Sequence, residues 1–330
     1  MAANKSSFLG YDIGGTKIAV CVGDSTGRVL ASERIEGGTQ RPYRDVLPDL
    51  VRRGRKLVGD AGLSMSDIES CGISAPGPLD IGVGVIEKSP NMIWADVPIR
   101  DDLSRGLGVP AILENDGNAG ALAEWFFGAG KGCRNMIYFT MSTGIGGGVI
   151  ANGRLVQGNN GNAGELGHAI LDIHGPPCGC GMRGCFEAFC GGRNVARRLK
   201  QMVQGNTEHP LMQLPSVNGD PDNLRYETLR EGVAAGIPVA EEFWDDLCLR
   251  MAQGLGMYMM VFNPEKIILG TIFYYSGDML MEPVRRYLPR FAWAKMRNGC
   301  RLELPALGSK LGELAGTAVA LYARHGREEF

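Results

Sequence analysis

Two glycine turns, each set between runs of apolar and β-branched residues, constrain this chain more than any other feature. The first, Asp12-Ile13-Gly14-Gly15-Thr16-Lys17, separates apolar residues 8–12 from residues 17–23. The second, Thr140-Met141-Ser142-Thr143-Gly144-Ile145-Gly146-Gly147-Gly148, separates residues 135–141 from residues 148–152. Glycine brings backbone N–H groups close to a ligand with no Cβ between them, and neighbouring hydroxyls or an ammonium add donors. Taken singly, Gly-Gly between strands is equally an ordinary hairpin turn. Two such loops opening two halves of one chain point instead to a nucleotide clamped between them, with Gly14, Gly15, Thr16 and Lys17 facing phosphate oxygens. Asp12 is then placed to hold magnesium through its waters. There is no Walker A pattern, so the phosphates are not held as in a P-loop. The formal G-x-G-x-x-G at Gly179-Cys180-Gly181-Met182-Arg183-Gly184 alternates with cysteine and does not sit between a clear strand and a helix, so it is not a dinucleotide fingerprint.

The remaining periodicity predicts a three-stranded meander over residues 8–12, 17–23 and 28–34 and a helix over 44–59. Strands follow at 70–74 and 111–114, then a helix at 119–127. Beyond a loop-rich stretch at 153–185, helices are expected at about 187–204, 226–236, 239–262 and 277–291, with a short buried strand at 266–269 and a last helix at 312–324. This order fits two α/β lobes, each a mixed sheet flanked by helices. The expected division is a small lobe, 1–117, to which a C-terminal helix at about 312–330 returns, and a large lobe, 118–311. Residues 206–225, with three prolines, read as a surface excursion.

A chain of 330 residues with 44% hydrophobic and 21% charged residues is long enough for two such lobes. Its formal net charge of −2 and pI near 6.1 leave no cationic surplus for nucleic acid or an anionic membrane, so a small-molecule partner is expected. Neither a cationic segment leading into an apolar run nor 18 consecutive apolar residues occurs, which points to a cytoplasmic chain.

Cysteine usage is the second strong signal. Of nine cysteines, Cys178, Cys180, Cys185 and Cys190 fall within thirteen residues. His168, Cys178, Cys180 and Cys185 supply one imidazole and three thiolates, a set suited to tetrahedral Zn²⁺ with no open position, hence a structural metal. His174 is an alternative fourth ligand. A disulfide is the competing reading, and a reducing compartment disfavours it.

The carboxylates complete the pattern. Glu114-Asn115-Asp116 ends a strand and begins a helix, where Asp116 is placed to take a proton from an attacking hydroxyl; the competing role is a helix N-cap. Glu165 and His168 precede the cysteine loop and Glu187 follows it, so a bound metal gathers several acceptors suited to a polyhydroxylated ligand.

The residues Asp12 to Lys17, Glu114 to Asn118, Ser142 to Val149, Gly164 to His168 and Cys178 to Glu187 resemble, in the same order, the motifs of the ROK family of sugar kinases and repressors. The resemblance spans nearly the whole chain. It implies a two-lobed actin-like ATPase (ribonuclease H-like) fold with an interlobe cleft, closing over ATP with Mg²⁺ and a hexose. By resemblance, Asp116 is the catalytic base, and Gly77, Asn91, Asn115, Asp116, Glu165, His168 and Glu187 bind the sugar. Asp12, Gly14, Gly15, Thr16, Lys17, Ser142, Thr143, Gly144, Gly146 and Gly270 hold ATP. The Cys-Gly-Cys-Gly knuckle is most similar to the glucokinase and N-acetylhexosamine kinase branch, which implies glucose as first substrate, with N-acetylglucosamine and N-acetylmannosamine as alternatives, and a dimer or tetramer.

Three residues depart from the family pattern. Ser142 replaces a glycine, Thr271 follows Gly270 where a second glycine is usual, and Cys190 replaces a serine. A positive φ at Thr271 would be strained. The rival readings are a sugar-sensing repressor, for which the eleven residues before Asp12 are too few to form a helix-turn-helix, and a glycoside hydrolase, which leaves both glycine loops unexplained.

Overall fold

The computed structural model describes residues 6–88 and 92–328. They form two compact units. One comprises Met1–Tyr138, Gly147–Gly164 and Pro305–Phe330, the other Phe139–Gly146 and Glu165–Leu304.

The first unit opens on the expected meander, β1 (Ser7–Ile13), β2 (Lys17–Asp24) and β3 (Val29–Glu36), with Ile13 opposite Ile18 across the first glycine turn. There follow α1 (Tyr43–Asp60), β4 (Ile68–Ala75), a small hairpin of β5 (Leu79–Asp80) and β6 (Val85–Ile86), α2 (Ile99–Leu107), β7 (Ala111–Asn115) and α3 (Asp116–Phe127). The sheet order is β3-β2-β1-β4-β7, and β4 runs parallel to both β1 and β7. Interior strands covered on both faces read as near-continuous apolar runs, and β1 obeys this: every residue but Asp12 is buried. Edge strand β3 is buried at Ile35 alone.

The chain continues through β8 (Met136–Met141), β9 (Ile145–Ala151) and β10 (Arg154–Leu155), and the division between the units passes along β8 and β9. The second unit adds α4 (Phe186–Cys190), α5 (Gly192–Val203), α6 (Tyr226–Ala234), α7 (Pro238–Phe262), β11 (Lys266–Leu269), α8 (Ile272–Ser276), α9 (Asp278–Tyr287), α10 (Ala294–Gly299) and β12 (Arg301–Glu303). The second sheet has the order β10-β9-β8-β11-β12, with β11 parallel to β12. Phe139 sits at the centre of this unit's core, edge-on to Phe186 at 6.1 Å between ring centroids and 5.6 Å from Tyr258.

Two local departures from expectation have physical causes. The single helix expected over 187–204 is two helices, because Gly191 is extended at φ −69°, ψ 140°. Residues 206–225 are more than a surface excursion, since Leu211 and Met212 of a 3₁₀ turn are buried, as are Val217 and Leu224 further along the segment.

The last helix, α11 (Leu311–Glu328), packs on the first unit's sheet at backbone distance. A Cβ on Gly10 would lie 2.5 Å from the Thr317 nitrogen, and one on Gly316 2.5 Å from the Tyr11 nitrogen. Glycine is needed on both sides of that contact. No described helix is long and apolar enough to cross a membrane.

Candidate active site and metal centre

In the first unit, the turn between β1 and β2 is held from behind. The Thr39 hydroxyl, buried, donates to the carbonyls of Gly14 and Gly15 at 3.0 and 2.7 Å. Gln40 Nε2 donates to Gly15 O at 2.9 Å, and Gly37 N–H to Thr16 O at 2.7 Å. Three consecutive carbonyls are thus committed away from the turn, which fixes the orientation of its peptide N–H groups. At the end of β1, Asp12 accepts a hydrogen bond from Ser74 Oγ at 2.8 Å. Burial raises the Asp12 carboxyl above the ordinary aspartate range, opposed by the Ser74 bond and the Lys17 ammonium. A cation placed beside this carboxylate would favour its charged form.

The second element of this unit is the β7–α3 junction. Asn115, and not Asp116, is the N-cap of α3: its Oδ1 accepts from Gly117 N–H at 2.8 Å. Asp116 is the first helical residue and is exposed, its Oδ1 also 2.8 Å from Gly117 N. Behind them, Glu114 is 2% exposed and works as a clamp. Its Oε1 accepts from Asn115 N–H and Asn118 Nδ2, each at 2.9 Å, and its Oε2 from Gln157 Nε2 at 2.6 Å. Burial raises the Glu114 carboxyl and these three bonds oppose the rise. Gly77 lies beside the same junction, since a Cβ there would be 3.7 Å from Asn115 Nδ2.

In the second unit, the loop 142–146 is tied to the start of α5. Gly192 N–H donates to Ser142 O at 2.8 Å, and Arg193 N–H to Thr143 O at 2.9 Å. Ile145 N–H donates to Glu187 Oε2 at 2.8 Å. Gly144 permits this, because a Cβ there would lie 2.5 Å from that oxygen. The other Glu187 oxygen is 3.9 Å from Cys178 Sγ. Glu187 therefore bridges the second glycine loop and the cysteine knuckle.

The knuckle itself brings the predicted ligands together. The donor atoms of His168, Cys178, Cys180 and Cys185 all lie within 4.8 Å of one another. Tetrahedral zinc with sulfur and nitrogen arms of about 2.3 and 2.0 Å has edges of roughly 3.8 Å between sulfurs and 3.6 Å between sulfur and nitrogen. Cys180 Sγ lies 3.7 Å from Cys185 Sγ, and Cys178 Sγ lies 3.7 Å from His168 Nδ1. The donor set fits that ion. His174 is not part of the cluster; its N–H bonds Asp172 Oδ1 instead. Burial pushes the Cys185 thiol up to about 12, so a cation is needed to hold the thiolate. Glu165 Oε2 stands 3.9 Å from His168 Nε2, on the side away from the sulfurs.

The three departures resolve differently. Ser142 takes no positive φ and is exposed. Cys190 is fully buried, its sulfur 3.9 Å from Leu247 O, and belongs to the core. Thr271 does carry the strain anticipated, at φ 32°, ψ −75°, directly after Gly270, whose N–H bonds Phe139 O at 2.9 Å. Asn91 lies outside the described residues. Thr39, Glu114 and Gln157 went unassigned by sequence reasoning; the only signal for Thr39 was a further glycine pair, Gly37-Gly38, before it.

Comparison with known proteins bears on all of this. The ROK family model matches residues 8–322. The glucokinase of Halalkalibacterium halodurans is 30% identical over 310 residues, which cover 94% of this chain and 93% of that protein. The crystal structure of a ROK hexokinase from Thermus thermophilus superposes with a TM-score of 0.80 at 33% identity, covering 97% of this chain and all of that one. A ROK family glucokinase from Streptomyces griseus, in complex with glucose and AMPPNP, gives 0.73 at 30% identity, over 96% and 99% of the two chains. Regulators match more weakly: the xylose repressor of Bacillus subtilis is 27% identical over 316 residues, 95% of this chain and 76% of that protein. The mixed α/β architecture is the two-lobed actin-like ATPase fold of these kinases. With a family match spanning almost the entire described sequence, the chain belongs to the ROK family.

Proposed function

We propose that this sugar kinase transfers the γ-phosphoryl group of ATP to O6 of glucose, with Asp116 as general base. The observation that carries the reading is that Asn115 and not Asp116 is the N-cap of α3, while Asp116 is exposed at the first helical position and shares the Gly117 N–H through one carboxylate oxygen. In the mechanism, Asp116 takes the proton of the sugar hydroxyl as it attacks phosphorus in line. Gly77, Asn115, Glu165, His168 and Glu187 are assigned to the sugar hydroxyls by the resemblance of their motifs to the family, and Asn91 by the same resemblance.

The peptide N–H groups of Gly15 and Thr16, with Lys17, meet the phosphates, supported by the carbonyl anchoring through Thr39, while Gly14 closes the turn, its N–H donating to Lys17 O at 2.9 Å. Ser142, Thr143, Gly144 and Gly146 form the second cradle, and Gly270 borders the nucleoside. Asp12 would hold Mg²⁺, which when bound would supply charge neutralisation to the transferred group. Zn²⁺ on His168, Cys178, Cys180 and Cys185 is structural, holding Glu165 and Glu187 at either end of the knuckle. Exposed Val261 and Trp293 support a homo-oligomer.

Incubating the protein with Mg-ATP and a panel of glucose, N-acetylglucosamine and N-acetylmannosamine tests the reading. ADP with glucose 6-phosphate, formed fastest from glucose, is the expected result. Faster turnover of an N-acetylated sugar reassigns the substrate, and sugar binding without ADP formation transfers the chain to the regulator class.

A further inference from the structure

A cavity of about 450 Å³ opens in the second unit where α9, α10 and β12 meet. Arg285, Arg297 and Arg301 line it, with Asn298, against the single carboxylate of Glu303. That carboxylate is already engaged, 3.0 Å from Lys266 Nζ and 3.4 Å from Arg301 Nε. In a chain of net charge −2, three guanidiniums converging on one concavity are a local excess and not a compositional background.

The guanidiniums are also oriented. Arg297 Nε donates to Ala292 O at 3.0 Å, and Arg285 Nη1 contacts Glu282 Oε1 at 2.9 Å while its Nη2 reaches toward Leu302 O at 3.5 Å. Arg301 is turned by Glu303. The bonds of Arg297 and Arg301 to the protein use Nε, which leaves the paired terminal N–H groups of both forks for a ligand at the cavity these residues line. That fork is the geometry that takes a phosphate bidentately. Met259 and Leu288 supply apolar wall beside it.

The site is separate from Gly270. Arg301 pairs with Lys266 at the start of β11, whereas Gly270 follows the end of that strand. Four residues of strand at about 3.3 Å each put roughly 13 Å between the two levels. We propose that this cavity binds the phosphate group of a small organic phosphate, with Arg297 and Arg301 as the paired donors and Met259 and Leu288 against the carbon skeleton.

Isothermal titration of the full chain with glucose 6-phosphate, inorganic phosphate and glucose, compared with an Arg297→Gln, Arg301→Gln double variant, tests this. The expected result is a phosphate-dependent binding event weakened at least roughly ten-fold in the double variant and by added salt, with the kinase parameters of the variant unchanged. Tighter binding of the sugar phosphate than of inorganic phosphate supports the organic ligand, and equal binding of the two overturns that part. Identical phosphate isotherms for wild type and variant, or none in either, overturn the site. If the double variant does not fold, the largely exposed Arg301→Gln alone carries the comparison.

Discussion

Substituting Gly144 by alanine isolates the link between Glu187 and the second glycine loop. Gly144 does not adopt a positive φ, so alanine brings no conformational penalty of that kind and acts through its methyl group alone. That methyl would lie 2.5 Å from Glu187 Oε2 and 3.3 Å from its Cδ, inside van der Waals contact. The flexible end of Glu187 swings away more readily than the loop backbone shifts, and Ile145 N–H then loses its acceptor. Ile145 is 3% exposed, so water does not replace the lost partner. A buried N–H deprived of a charged acceptor costs about 1.5–3 kcal/mol, which is roughly a 10- to 150-fold change in an equilibrium constant. If this loop holds the triphosphate, ATP affinity measured by calorimetry without sugar falls within that range. The same substitution in a Glu187→Ala background has no carboxylate to displace, so its effect shrinks toward nothing. Wild-type ATP affinity in Gly144→Ala would show that the Glu187 contact does not shape the nucleotide site.

Four further outcomes are expected. Asp116→Asn keeps the fold, since Asn115 still caps α3, and lowers kcat by at least roughly 10²-fold in the coupled ADP assay; near-normal turnover removes Asp116 as base. Cys180→Ser, or treatment with a strong chelator, releases one zinc per chain by metal analysis and exposes residues 165–187 to proteolysis, whereas protein purified without zinc ends the structural-metal reading. Asp12→Asn stabilises the ligand-free protein at neutral pH while abolishing Mg-ATP turnover. The sign follows from burial: the folded Asp12 pKa lies above the unfolded value, so the protonated form favours the fold at low pH and that contribution is lost as pH rises through the folded pKa. The stability gap between the two proteins in urea titrations therefore closes on acidification, and a gap independent of pH contradicts it. Thr271→Gly, relieving φ 32°, raises stability by about 1 kcal/mol in the same titrations; a loss shows that Thr271 is not strained.

The sequence by itself determined the elements whose chemistry is local. A run such as residues 17–23, β-branched and uninterrupted, has few options besides a strand, and the glycine turn at 14–15 fixed where it reverses. Cys178, Cys180 and Cys185 are close in space because they are close along the chain, so their ligand character needed no fold to be seen. Even the split of the helix after Cys190 was written there, in Gly191-Gly192, though helical periodicity on both sides masked it. Short pieces such as α2 and β12 were not legible, because three to nine residues carry too little periodicity to stand against neighbouring loops.

Tertiary structure decided which polar groups became partners across long separations. Thr39 meets Gly14 and Gly15 over 25 and 24 residues, Glu187 meets Ile145 over 42, and Gln157 meets Glu114 over 43. Each pairing satisfies a buried donor or acceptor that solvent no longer reaches, and the identity of that partner depends on which segments the core brings together. Local pattern names the groups able to bond; only the packed chain selects among them.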